Sequence, residues 1–317
     1  MLIFTGFLVK LLPLWLSVLF GFIMGRTLKV QKSDIANVLV FLLLPLITFH
    51  GAYTMEVNLR TFSLPLFFFT ACSLVTFLFL WIGRMFWKDN TANLLGFASG
   101  YGNYGYFALP AAIALFGKEA EALVIIAGVG YTLYTGTVGY FVTARGNFSA
   151  RESLHKTLML PSVYTLVLGF LLNLSGIKPG IAWGTDFGQV YTEFFRDIRG
   201  AYSIMGMMLA GIAISDIHRI KIDWRFASLT GIAHFLAWPL LIGAYIYLDL
   251  SLLHFFPVLI LKIIFLLSLI PTGVNLIAYA TQLGVQPEKA AVAILVTTVF
   301  GMFYIPVMIA VFMVFIG

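Results

Sequence analysis

Two short stretches hold the residues best suited to chemistry. The first, GYGNYGYFALP, brings Gly102, Asn103, Tyr104, Gly105 and Pro110 into one apolar segment. The second brings Pro271, Thr272, Gly273 and Asn275 into another. Proline removes a backbone donor and clashes with the preceding turn. Glycine is costly inside a helix. Neither segment suits a continuous helix. A helix broken within apolar surroundings presents half-helix N-termini, with free N–H groups and partial positive charge. Such a site favours an anion, and Asn103 and Asn275 add side-chain amides. A single kinked segment is explained well enough by packing. Two matched breaks point to a substrate site.

Other ionisable groups are scarce. His50 falls in the outer half of the second apolar segment and His234 near the middle of the eighth. Imidazole titrates near neutrality, so either is a candidate proton or anion site. A lone histidine in a membrane is often only a packing residue. No Asp or Glu falls mid-segment, so no carboxylate-based ion site is expected. No metal site and no cofactor are expected. The chain lacks H-E-x-x-H, an intramembrane acid pair and a Walker phosphate loop. An enzyme is therefore the weaker reading, and ATP-driven transport would need another subunit.

These residues need a scaffold, and composition says which kind. Of 317 residues, 61% are hydrophobic and 10% charged, and mean hydropathy is +1.00. A soluble domain is about one quarter charged. Water-soluble enzymes, nucleic-acid binders and disordered chains fit poorly, and a multi-pass membrane protein fits well. The net charge of +6 reads as loop Lys and Arg facing an anionic lipid surface. Cys72 is the only cysteine, which excludes an intrachain disulfide.

Ten apolar segments reach the roughly 20 residues a spanning helix needs. Twelve basic residues fall in one set of loops: Arg26, Lys29, Lys32, Arg84, Lys88, Arg145, Arg151, Lys156, Arg219, Lys221, Arg225 and Lys289. Five fall in the other: Arg60, Lys118, Lys178, Arg196 and Arg199. The richer set is expected to be cytoplasmic, with both termini outside. A polar connector, 144–156, separates a first five-helix repeat, 1–143, from a second, 157–317. Five is odd, so the halves insert with opposite topology. The expected fold is an all-α polytopic membrane protein, ten transmembrane helices in a 5+5 inverted repeat with helices 4 and 9 broken.

The stretches VLVFLLLPLITFHGAYT, GNYGYFALP, AYSIMGMMLAGIAIS and IPTGVNLIAYATQLGVQPEKAAVAILVTTVFGMFYIP carry a family resemblance through their order and spacing. The chain resembles the auxin efflux carrier family, which spans plant auxin exporters and bacterial carboxylate carriers. The resemblance implies a fold related to bile-acid and sodium–proton transporters. Helices 1, 2, 6 and 7 would form a scaffold that dimerises. Helices 3–5 and 8–10 would form a moving transport domain, with Asn103 and Pro271 at the crossover. Gly102 stands where plant members place a proline. The implied function is elevator-type export of a small organic anion, a carboxylate or auxin-like acid, across a bacterial inner membrane. A proton-coupled symporter or antiporter and an anion channel are the alternatives. The expected partners are that anion, membrane lipid and a second copy of the chain, with no nucleic acid.

Overall fold

The computed structural model describes residues 2–54, 59–117, 119–177, 185–215 and 222–316. Lys118, Lys178, Arg219 and Lys221 of the loop-charge comparison lie outside the described residues. The described chain is all-helical, and its only β feature is an isolated bridge between Gly102 and Thr272.

Apolar segments of this length become helices because a backbone in lipid must satisfy its own hydrogen bonds. In chain order these are α1 (Leu2–Thr27), α2 (Lys32–Thr54), α3 (Leu59–Phe86), α4 (Thr91–Gly100), α5 (Leu109–Phe116) and α6 (Glu119–Ala144). They continue as α7 (Ala150–Leu158), α8 (Pro161–Leu174), α9 (Thr185–Ile214), α10 (Trp224–Leu253), α11 (Val258–Ser268), α12 (Asn275–Leu283) and α13 (Pro287–Ile316). Six of the described helices are long and apolar enough to cross a membrane: α2, α3, α6, α9, α10 and α13. A seventh span is α7 with α8, if the 47° bend between them is crossed as one unit. The fourth and ninth expected spans are not among the six because each is two short helices. α4 and α5 flank the break at 101–103, and α11 and α12 flank the break at 269–274.

Proline shapes the longer helices. Leu39–Leu43, Tyr104–Ala108 and Ala233–Ala237 are single π-helical turns, followed two residues later by Pro45, Pro110 and Pro239. The carbonyl four residues before each proline falls inside the widened turn, and for Pro45 and Pro239 the wider turn relieves the ring clash. The freed carbonyl of Phe235 accepts a hydrogen bond from Tyr304 on α13 at 2.6 Å. A neighbouring helix thus satisfies a group that lipid cannot.

α1 lies along α9 and α2 along α8, while α3 packs on α4 and α6. The first contact is backbone to backbone: a Cβ on Gly21 would stand 2.0 Å from the Met208 carbonyl oxygen. Small residues permit this approach where apolar lipid supplies no drive for association. Outer faces are apolar, with Leu66, Leu74 and Trp81 of α3 each at least 60% exposed. Cys72 is free and buried. The chain is a helical polytopic membrane protein.

Candidate functional site

The two breaks meet. α4 stops at Gly100, and Tyr101 turns extended (φ −115°, ψ 110°). The extended residues then pair antiparallel with the second break. Asn103 N–H donates to the Pro271 carbonyl and Gly273 N–H to the Tyr101 carbonyl, both at 2.8 Å. Gly102 and Thr272 face each other between these bonds, and neither amide is used in the pairing. A proline at position 102 would therefore cost this bridge no donor.

The last carbonyls of α4 are capped by side chains. Thr272 Oγ1 donates to Ala98 at 2.8 Å, and His234 Nε2 lies 2.8 Å from the same oxygen. Trp238 Nε1 donates to Ser99 at 2.8 Å. His234 and Trp238 are both buried on α10, so that helix clamps the crossing from behind.

Beside the crossing lies a cavity of about 300 Å³. Asn103, Tyr104 and Gly105 line it from the first break and Asn275 from the second, with His50 on α2 and Arg199 on α9 across from them. Among the described residues that line it there is no Asp or Glu. The Tyr104 hydroxyl is 2.9 Å from Thr132 Oγ1, and its ring stacks on Tyr131 with centroids 5.2 Å apart. Gly128 makes room for that ring, since a Cβ there would stand 2.4 Å from it. His50 Nδ1 is 3.1 Å from the Tyr191 hydroxyl, and its ring stacks on Phe195 at 4.5 Å. The Tyr202 hydroxyl donates to Asn275 Oδ1, which leaves the Asn275 NH₂ group as a donor.

The sequence-derived residues thus separate by position. Asn103, Tyr104, Gly105, Asn275 and His50 line the cavity. Gly102, Pro271, Thr272 and Gly273 build the crossing that backs it. His234 supports the crossing and does not line the cavity. Pro110 sits in the first turn of α5, and its side chain lies outside the described residues. Sequence reasoning places Arg199 among the loop charges and so does not single it out. Its presence within the seventh apolar segment was the available signal.

The opposite end of α2 carries a polar layer. Lys32 pairs with Glu288 of α13. Lys289 bonds Asp223 at 3.1 Å and Thr91 at 2.8 Å. Asn147 donates to the Leu283 carbonyl at 2.9 Å. Burial pushes the Asp223 carboxyl upward, but the Phe226 N–H, Lys289 and Trp87 outweigh it and hold the group below its ordinary value. Among the described residues there is no group of three or more His, Cys, Asp or Glu suited to a metal ion.

Fold and site together define a helical membrane protein whose two broken segments cross beside a largely apolar cavity that carries a few polar side chains. No protein-family model matches the chain. Over 177 residues it is 25% identical to an uncharacterized transporter of Methanocaldococcus jannaschii. That alignment covers 54% of this chain and 56% of the relative, so the chain spans about half the length of the curated relative it matches.

Proposed function

We propose that the chain is a secondary transporter that moves a small organic anion by alternating access. The observation that carries this reading is the pairing of two broken helices beside a cavity whose described lining includes two amides and an arginine but no carboxylate. The likeness to a transporter supports it. In this reading α1, α4 with α5, and α11 with α12 also span the membrane, which makes ten crossings in two inverted halves, 1–143 and 157–317, joined by 144–156. This is the architecture of the auxin efflux carrier family. α1, α2, α8 and α9 form the scaffold, and the remaining spans move.

The anion enters from the end of α2 that carries His50. Asn103 and Asn275 donate to it, and the N-terminal turns that follow each break add partial positive charge. The polar layer at the Lys32 end closes the other face, which loop charge assigns to the cytoplasm. Sliding of the moving helices separates Lys32 from Glu288 and opens that face. A negative-inside potential then favours net export. Proton coupling is the second reading, and the position of His50 on the cavity wall favours it.

Flux of radiolabelled indole-3-acetate and malonate into proteoliposomes, under imposed pH, sodium and voltage gradients, tests the proposal. Saturable flux that falls about tenfold or more in Asn103→Ala, with normal membrane insertion, is expected from loss of a charge-assisted hydrogen bond. Unchanged flux in that variant refutes the crossing as the substrate site. Strict sodium dependence counts against the ion-independent scheme, and unitary currents would identify a channel. The scaffold is proposed to dimerise, and crosslinking in native membranes checks this, a persistent monomer being the contrary result.

A further inference from the structure

Arg199 has the character of a binding group. It is half-buried on α9 and lines the cavity. Among the described residues it forms no ion pair, whereas its neighbour Arg196 has Asp197 at 3.7 Å. Arg199, Tyr202 and Ser203 all line the cavity, with the i, i+3, i+4 spacing of one helix face. Tyr202 reaches Asn275 directly, so Arg199 stands one turn, about 5 Å, further along the same wall. Gly200 beside it adds no side chain, and nothing lies within 4 Å of where its Cβ would be. A cation held in an apolar wall without a counter-ion is unfavourable until an anion arrives. A guanidinium presents paired donors that match a carboxylate.

We infer that Arg199 is the charge partner of the transported anion, binding its carboxylate from the α9 wall while Asn103 and Asn275 hold its other side. The inference rests on the transport reading above and adds an asymmetry to it. α9 belongs to the proposed scaffold and the crossing to the moving helices. Arg199 therefore binds the anion on the face where the cavity lies and releases it when the crossing slides away. Its removal weakens affinity from that face and leaves affinity from the opposite face unchanged.

The experiment uses the full chain in nanodiscs and proteoliposomes, with benzoate, indole-3-acetate, malonate and succinate as probes. Thermal stabilisation by at least one probe, weakened about 10–100-fold in apparent affinity by Arg199→Gln and less by Arg199→Lys, is expected for loss of a charged hydrogen-bond partner. Arg196→Gln serves as the control and should bind as the unaltered chain does. In oriented proteoliposomes the loss should appear from one side only. On the unaltered chain, the stabilising probe should also protect Arg199 from phenylglyoxal, mapped by peptide mass spectrometry, a readout that needs no variant to fold. Equal affinity in Arg199→Gln, or equal loss from both faces, or no protection, overturns the inference while the anion-transport reading survives. Failure of all four probes to stabilise the unaltered chain counts against that reading and removes the inference with it.

Discussion

Gly273→Ala perturbs the crossing by a single methyl group. A Cβ at this position would stand 2.1 Å from the Tyr101 ring. Ordinary contact begins at 3.4 Å, so the two must separate by at least the difference, 3.4 − 2.1 = 1.3 Å. The same two residues share the 2.8 Å hydrogen bond from Gly273 N–H to the Tyr101 carbonyl. Relief of the clash therefore strains or breaks one of the two bonds that join the breaks. Overpacking costs about 1–3 kcal/mol and the hydrogen bond about 1 kcal/mol. The sum, about 2–4 kcal/mol, corresponds to a loss of roughly 4–8 °C in unfolding midpoint at about 2 °C per kcal/mol.

Gly243→Ala on α10 supplies the matched control. Nothing lies within 4 Å of its Cβ position, and alanine in a helix interior gains up to about 1 kcal/mol over glycine. The two variants make the same chemical change and should move the midpoint in opposite directions. Thermal unfolding of the detergent-purified proteins reads the difference, and proteoliposome flux should fall in Gly273→Ala alone. If both variants unfold together at the unaltered midpoint, the close approach of Gly273 to Tyr101 is refuted.

Two further perturbations address the polar layer. Glu288→Gln removes a partly exposed ion pair worth about 0.2–1 kcal/mol, which shifts the proposed two-state equilibrium about 1.4- to 5-fold. Maleimide labelling of Ser203→Cys in a Cys72→Ser background should report the shift at low salt and lose it at high salt, and identical labelling at low salt rules out a gating role for the pair. Asp223 has a depressed folded pKa, so its stabilisation is complete above its unfolded value of 3.8 and is lost as pH falls through the lower folded value. Unfolding midpoints should hold from pH 7 to about pH 5 and drop in stronger acid, and Asp223→Asn should flatten that drop; a drop of unchanged size assigns it to other groups.

The breaks were legible because proline and glycine act locally. Pro271 and Gly273 disfavour a helix wherever that segment is placed, and the chain is extended there. Their pairing was not legible, because it joins residues far apart in sequence. The Thr272 to Ala98 bond spans 174 positions, and the His234 contact with the same carbonyl spans 136. Hydropathy records depth but not azimuth around a helix. It therefore offers His234 as a titratable candidate without showing that the side chain also caps a helix end. The same limit put Arg199 with the loop charges, although it turns toward the cavity. The π turns were also hidden, since Pro45, Pro110 and Pro239 announce a disturbed helix but not the form it takes.

The crossing is also a solution to an electrostatic problem. Each broken helix exposes carbonyl oxygens at the end of its first half and amides at the start of its second. Left alone in lipid, the carbonyl ends would attract a cation and the amide ends an anion. Here the carbonyls of Ala98 and Ser99 are taken by Thr272, His234 and Trp238, all carried on other elements. The Tyr101 and Pro271 carbonyls are taken by the opposite break. Five oxygen-directed contacts thus do with fixed protein groups what a bound cation does with charge. Among the described residues the amide ends receive no such compensation from acidic side chains, because none of those lines the cavity. The partial charges of the described groups at the crossing therefore favour an anion, and Arg199 on the cavity wall adds to them. In the proposed transport reading such a site gains from binding an anion without first binding a cation, and that is the physical reason to expect flux to respond to voltage before it responds to sodium.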